Sequence, residues 1–299
     1  MTTTSRRDLW DEADELERAG PLAEAEERWR GVVEDGKRLL REAMAGFPDD
    51  SSPYFHLGVY LKSEGQFEKA KELLQRSVDL DEWAPALVCL GAVLDTLEDT
   101  QGARRCYERA IVLEPEEPEP YYLLGVTYRR NDDTHATELF EKAVALDPEY
   151  ADAWRELAMR QWKSGELVAA EESARKAVTF DDRSAWNHDY LGVILTAAGK
   201  FDEAAHEIRK ALELWPDSRL FYCHLGDALL RLDQAADAET AYKRALSLDV
   251  NYDLANLRMG ELRQMQGQLA DARRYIERAV HANPSSRQAR RVLSELPPK

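Results

Sequence analysis

Residues 121–148 read YYLLGVTYRRNDDTHATELFEKAVALDP, and this stretch decides the fold because its pattern returns along most of the chain. Within it, the small residue Gly125 follows Leu124, and two further small residues come at Ala136 and Ala143. Steps of 33 or 34 residues away from Gly125, in either direction, always reach another small residue: Gly58, Gly91, Ala158, Gly192, Gly226 and Gly260.

Two more tracks of small residues keep the same period. They are Ala70, Ala103, Ala136, Ala170, Ala204, Ala238 and Ala272, and Ser77, Ala110, Ala143, Ala177, Ala211, Ala245 and Ala279. Three tracks in phase over seven units are typical of a stacked array of helix pairs. Glycine inside a helix costs about 1 kcal/mol relative to alanine. Its repeated use at one phase therefore predicts a crossing at which the two helix backbones approach closely.

The pattern resembles that of the tetratricopeptide repeat (TPR) family. The matching residues are Tyr54-Leu57-Gly58, Tyr121-Leu124-Gly125-Tyr128, Trp154-Leu157-Ala158 and Tyr222-Leu225-Gly226, with closing prolines at Pro115, Pro148, Pro216 and Pro284. The resemblance covers about residues 51–284. It implies an all-α, right-handed superhelical solenoid of antiparallel helix pairs. It also implies that the first helix of each pair lines a concave groove, and that the protein is a scaffold for partners.

Residues 51–284 are predicted to hold seven units, and residues 285–299 a C-terminal capping helix and tail. Residues 1–50 are predicted to form a divergent N-terminal helical hairpin, a degenerate repeat with an extended second helix; a dimerisation hairpin is the alternative. First helices are expected near 53–63, 84–96, 118–130, 151–163, 185–197, 219–231 and 253–265. Second helices are expected near 67–79, 100–113, 133–146, 167–179, 201–214, 235–248 and 269–282. Glycines at 65, 165, 199 and 267 suit the turns between them.

The composition excludes several classes of partner. The formal net charge of −17 argues against nucleic acid and anionic membranes, because both require a cationic face. The three cysteines show no CxxC spacing, so we interpret them as reduced, buried thiols of a cytoplasmic protein. No apolar run is long enough for a membrane span, and the N-terminus shows no signal peptide.

No catalytic, cofactor or metal motif is found in the sequence. The six histidines show no HxxxH spacing, the glycines are isolated, and no GxSxG motif occurs. The sequence therefore predicts a protein that is not an enzyme and that has no catalytic, metal or cofactor site.

The predicted binding site is the concave groove. Its candidate residues are Phe55, Tyr122, Arg129, Arg130, Arg155, Met159, Trp162, Lys163, Trp186, Leu220 and Arg231. Arginines beside aromatic residues are typical of interaction hot spots. The cluster of Arg129, Arg130, Arg155 and Lys163 therefore predicts a partner protein or peptide with acidic groups and an apolar anchor. The alternative is that these cations pair with Glu119, Asp152, Glu156 and Asp189 on a solvated face.

TPR co-chaperones hold carboxylates with a clamp of Lys, Asn and Arg, but the corresponding positions here carry Phe55, Val59, Cys89, Glu119 and Leu123. No such clamp is expected in the first regular units. The favoured function is a non-catalytic adaptor that binds a partner segment in its groove. Two alternatives stay open: a self-assembling structural module that forms a homodimer, and a regulatory or substrate-selecting subunit of a separately encoded enzyme.

Overall fold

The structure, a computed structural model, describes residues 37–129 and 133–297 of the chain. Most of the predicted N-terminal hairpin, residues 130–132 with Arg130, and the last two residues lie outside the described residues. The chain divides into two compact units, Met1–Asp132 and Asp133–Lys299, and each is described by itself. Every regular element in the described residues is a helix, so the fold is the expected all-α repeat solenoid.

In the first unit, residues 37–46 are helical and five further helices follow. They are α1 (Ser51–Ser63), α2 (Phe67–Leu80), α3 (Ala84–Thr96), α4 (Thr100–Leu113) and α5 (Pro118–Tyr128). The second unit contains α6 (Asp133–Leu146), α7 (Ala151–Lys163), α8 (Leu167–Phe180), α9 (Ala185–Ala197) and α10 (Phe201–Leu214). It continues with α11 (Arg219–Arg231), α12 (Ala235–Leu248), α13 (Asp253–Met265), α14 (Leu269–Ala282) and α15 (Arg287–Glu295). The helix positions predicted from residue 53 onward are confirmed to within two residues at each end.

The repeated glycine makes room for a large side chain of the second helix. A Cβ atom at Gly58 would lie 2.8 Å from Leu74 Cγ, and one at Gly91 would lie 2.6 Å from Tyr107 Cε1. The nearest atom in each case belongs to the residue sixteen positions later, and this holds also for Gly226, which faces Tyr242. The predicted close crossing is confirmed, but its main cause is this interlocking side chain rather than contact between backbones.

The turns inside the pairs need a left-handed residue. Gly65 and Gly165 have φ of 72° and 84°, as expected for glycine just beyond a helix C-terminus. At the equivalent positions of two other pairs, Glu98 (φ 64°) and Asp233 (φ 59°) adopt the same conformation without being glycine. The sequence pattern did not predict these two strained residues.

A side chain near the start of several first helices forms a hydrogen bond with the turn that precedes its helix pair. Tyr54 Oη donates to the carbonyl of Pro48 at 3.2 Å, and Trp154 Nε1 donates to that of Pro148 at 2.8 Å. Asn256 Nδ2 donates in the same way to the carbonyl of the residue six positions earlier, at 2.9 Å. In these pairs, a side chain of the first helix therefore holds the pair to the preceding turn.

Within each unit, the first helices form the inner face. Successive first helices contact one another: α1 with α3 and α3 with α5 in the first unit, and α7 with α9, α9 with α11 and α11 with α13 in the second. Contacts of this extent do not join successive second helices among the described residues. In a curved array of helices, the side on which successive helices lie closer together is the concave side, so the first helices form the concave face of each unit.

Candidate functional site

The inner face of the first unit contains a pocket of about 520 Å³. Its apolar floor comes mainly from α3 and α5 and includes Val88, Cys89, Ala92 and Leu123. Three glutamates, at 114, 117 and 119, stand on one rim, and Lys62 at the end of α1 adds a cation to the lining. This pocket combines a buried apolar surface with negative charge.

The Cys89 thiol has the chemistry of an unreactive, half-buried group. Its pKa is raised, and burial is the largest cause. The positive charge of nearby Lys62 lowers the pKa, and the negative charge of Glu119 raises it. The pKa of Cys106 rises to about 11, chiefly through burial. All three cysteines are free, and burial also raises the pKa of Cys223. None of these thiols is activated as a nucleophile, since reactive cysteines have lowered pKa values.

The predicted groove residues of the first unit do not all line this pocket. Phe55 is half-buried and packs edge-to-face on Trp83, with ring centroids 4.7 Å apart. Tyr122 is half-buried on α5, and Arg129 is exposed directly after the last residue of that helix. The sequence pattern places Glu119 on the groove side but does not indicate that Glu114 and Glu117 join it. The sequence signal for the pocket is the group of four glutamates in residues 114–119, which lead into α5.

In the second unit, polar side chains join each first helix to the next. Arg155 on α7 donates to Asn187 Oδ1 on α9 at 3.2 Å, and it also pairs with Asp152. Asp189 on α9 lies 2.8 Å from Nδ1 of His224 on α11. Asp189 is 1% exposed, and burial raises its pKa although its hydrogen bonds with His224 oppose the shift.

The same series continues toward the C-terminal end. Arg258 Nε on α13 donates to Asp227 Oδ2 on α11 at 3.0 Å, and Tyr242 Oη donates to the other oxygen of Asp227 at 2.7 Å. Gln288 on α15 donates to Glu261 on α13 at 3.1 Å. The partners on successive first helices lie about one repeat apart in sequence, so the repeat spacing brings them together, and they fix the relative position of those helices.

His188 has an unusual place in this unit because both of its ring nitrogens face oxygen atoms. Nδ1 lies 2.7 Å from Glu207 Oε2, and Nε2 lies 3.0 Å from the carbonyl oxygen of Asp182. A carboxylate and a carbonyl only accept hydrogen bonds, so the ring satisfies both when each nitrogen carries a proton. Burial favours a raised Glu207 pKa, but hydrogen bonds from His188 and Lys210 outweigh it and the pKa is lowered.

The structure places the predicted basic residues of the second unit apart from one another. Arg155 is engaged with Asp152, as the alternative interpretation of a paired, solvated face predicts for this residue. Lys163 is eight residues further along α7, about 12 Å at the rise of an α-helix. It lines a separate pocket of about 440 Å³ together with Glu138 and Glu141. Because Arg129 belongs to the first unit and Arg130 is outside the described residues, the four-residue basic cluster stays a prediction.

The predicted apolar residues of the second unit are accessible to different degrees. Met159 and Trp162 are half-buried on α7, and Trp162 packs against the core of the unit. Leu220 is also half-buried and packs against that core. Trp186 is 37% exposed and lies edge-to-face with Trp215, whose ring centroid is 5.7 Å away. The Trp215 ring was not among the predicted groove residues.

Arg231 ends α11 and is exposed, with its guanidinium 4.6 Å from the ring centroid of Phe201. Its position at the helix C-terminus is favourable for a cation. It therefore offers positive charge at the C-terminal end of α11.

No metal cluster and no membrane helix are found in the part of the chain that the structure describes. Residues 37–129 and 133–297 contain no group of three or more His, Cys, Asp or Glu side chains arranged to hold a metal ion. Among the same residues, no helix combines the length and the apolar character needed to cross a membrane.

The comparison with solved structures finds repeat proteins of several kinds. The chain matches the structure of the APC/C hetero-tetramer Cut9-Hcn1 with a TM-score of 0.69 at 16% identity, and the match covers 99% of this chain. This chain spans 60% of that one. It matches PilF of Pseudomonas aeruginosa with a TM-score of 0.60 at 18% identity, over 72% of this chain and 98% of that chain.

A third structure, YrrB, is described as a TPR protein with an unusual peptide-binding site. It matches with a TM-score of 0.52 at 19% identity, over 62% of this chain and 96% of that chain. At these identities the likenesses show the fold alone. No curated protein matches the chain significantly in sequence.

Sequence models of the tetratricopeptide repeat match most of the repeat region. One matches residues 134–185, 191–252 and 257–296, which is more than half of the chain, and another matches residues 51–82. Together with the repeating helix pairs and the glycines at their crossings, these matches establish the family. The chain belongs to the tetratricopeptide repeat family.

Proposed function

We propose that the chain is a non-catalytic adaptor that binds a segment of a partner protein on the inner faces formed by its first helices. Proteins of this family serve as interaction scaffolds, and YrrB is described as having a peptide-binding site. One observation carries the proposal: accessible positions on the inner faces hold apolar side chains, including Ala92, Leu123, Met159 and Trp162, where a purely solvated face would be polar.

The same proposal covers the finer predictions from sequence. It retains Phe55, Tyr122, Trp186 and Leu220 as apolar contacts of the partner. A partner with acidic groups would meet Lys163 and Arg231 in the second unit, since Arg155 is already paired with Asp152. The proposal places the protein in the cytoplasm, and its three free cysteines support a reducing compartment.

Peptide display on the full chain tests this function. Segments selected from a random library should lose binding when an inner-face residue of the first unit is enlarged, as in Ala92→Phe, or when one in the second unit is removed, as in Trp162→Ala. The matched control is Val168→Ala, a substitution at a 76% exposed apolar residue on the second helix α8. Selected segments that bind all three variants like the wild type would show that neither inner face is the binding site.

Self-association is the second candidate, and one observation favours it. Trp186, Leu214 and Trp215 are 37%, 45% and 44% exposed in one region of the second unit, and exposed aromatic patches are typical of interaction surfaces. A homodimer through this patch should appear in sedimentation experiments at high protein concentration. A purely monomeric mass there would exclude it.

A further inference from the structure

We infer that the pocket of the first unit binds an apolar side chain of the partner that is flanked by lysine or arginine. This inference rests on the proposed function, because it names the chemistry of the segment held on one inner face. It concerns the pocket floor of Val88, Cys89, Ala92 and Leu123 and the rim of Glu114, Glu117 and Glu119.

The floor of the pocket fits an apolar anchor. Val88 is 9% exposed and forms the base, while Cys89, Ala92 and Leu123 are half-buried around it. The volume of about 520 Å³ lies within the range of about 300–1,000 Å³ that is usual for ligand pockets. The small side chain of Ala92 leaves depth on the inner face of α3. An inserted leucine or similar side chain would be removed from water there, which stabilises the complex through the hydrophobic effect.

The rim of the pocket is negative and lacks internal compensation. None of Glu114, Glu117 and Glu119 forms an ion pair with another residue in the described part of the chain. Lys62, the cation at the end of α1 that also lines the pocket, is outnumbered by these three carboxylates. Uncompensated charge at the mouth of a cleft attracts ligands of opposite sign and repels those of like sign. A cationic flank on the partner therefore complements this site.

An acidic segment fits this pocket poorly. A carboxylate placed over Ala92 and Leu123 would approach Glu119, which already raises the pKa of Cys89 through its negative charge. The acidic partner expected from the arginines of the sequence would have to bind elsewhere, since neither Arg129 nor Arg155 lines this pocket. The first unit therefore selects for positive charge, in contrast to the overall expectation from sequence.

A pair of synthetic peptides measures this preference. Both carry a central leucine in a flexible Gly-Ser background; one has a lysine on each side of it and the other has a glutamate. Fluorescence anisotropy with the full chain should show binding of the lysine peptide at least about tenfold tighter than the glutamate peptide. Added salt should weaken the lysine peptide because it screens exposed charges.

Substitutions in the first unit locate the preference. The triple variant Glu114→Gln, Glu117→Gln and Glu119→Gln should weaken the lysine peptide about tenfold, and Ala92→Phe should abolish its binding by filling the pocket. The matched control removes the same charge from exposed positions on second helices, through Glu68→Gln, Glu72→Gln and Glu108→Gln. It should bind like the wild type, and thermal unfolding of each variant verifies folding.

Equal affinity for both peptides, binding of neither, or equal weakening by the control triple variant would each overturn the inference. The proposed function fails on a different result. It is wrong if the segments selected by display bind the Ala92→Phe and Trp162→Ala variants as well as they bind the wild type. Selected segments with acidic flanks that lose binding with Ala92→Phe and not with Trp162→Ala would leave the adaptor function in place and overturn the cationic partner of the first unit.

Discussion

The interlock between Gly226 and Tyr242 gives a prediction whose size follows from the structure. Alanine in place of Gly226 should gain about 1 kcal/mol in helix propensity. Its Cβ, however, would lie 2.7 Å from Tyr242 Cδ1 and Cζ and closer still to Cε1. The ring has little freedom to move, because it is fully buried and its hydroxyl donates to Asp227 at 2.7 Å. Overpacking of this kind costs about 1–3 kcal/mol, and with a cost of about 2 kcal/mol Gly226→Ala should destabilise by about 1 kcal/mol in net, and Gly226→Leu by more.

One helix pair of the chain has small residues at both positions of this contact. In the pair of α7 and α8, the equivalent positions are Ala158 and Ala174, and both are buried. Tyr242→Ala alone should cost about 3–5 kcal/mol through the cavity that it leaves. When Gly226→Ala is added to that variant, it should become neutral or stabilising, because the ring that opposed it is absent. The double-mutant cycle should thus show a favourable coupling of about 2 kcal/mol.

Urea unfolding followed by far-UV circular dichroism measures all four proteins of the cycle. Tyr242→Phe serves as the control, because it removes the hydrogen bond to Asp227 and keeps the volume of the ring. If Gly226→Ala is as stable as the wild type, or if its effect is the same with and without the Tyr242 ring, the steric account of the repeated glycine is wrong.

Three further predictions concern the turns, the buried histidine and the C-terminal end. Glu98→Gly should stabilise the protein by about 0.5–1 kcal/mol in urea unfolding because glycine adopts a positive φ without strain, and Asp233→Gly should have the same effect. A loss of stability would show that the backbone is not strained at these residues. Glu207→Gln should destabilise the protein by about 3 kcal/mol at neutral pH. Because the Glu207 pKa is lowered in the folded protein, this loss of stability should shrink as the pH falls below about 4.5. A loss that stays constant with pH would refute the pairing with His188. Val292→Asp should detach α15 from α13 and α14, shown by faster hydrogen exchange in that helix, and unchanged exchange would contradict its packing role.

The positions of the helices could be predicted from the sequence because they depend on local and periodic signals. Small residues such as Gly91 and Ala103 recur with the period of the helix pair, and turn glycines such as Gly165 mark where a first helix ends. The left-handed residue Glu98 escaped prediction because its sequence has no turn signal. There the packing of the adjacent helices enforces the turn against the preference of the residue.

The charge pattern of the candidate site could be predicted only in part. The position of Arg155 on the inner face follows from repeat phase, but its pairing with Asp152 and Asn187 depends on side-chain geometry. Asp189 and His224 lie one repeat apart, and nothing local in the sequence indicates that they meet. In the same way, the sequence shows a group of glutamates before α5, and only the structure shows that Glu114, Glu117 and Glu119 line one pocket.

The sequence by itself determined the repeat, its all-α fold, the helix bounds and the family, since these depend on periodic residue size and on turn-forming residues. Only the tertiary structure decided which charges are paired internally and which stay available, because pairing depends on side-chain geometry and on distances between residues that can be a repeat apart. That distinction separates Arg155, held by its neighbours, from the glutamate rim of the first unit, where the field of three carboxylates acts outward on a partner.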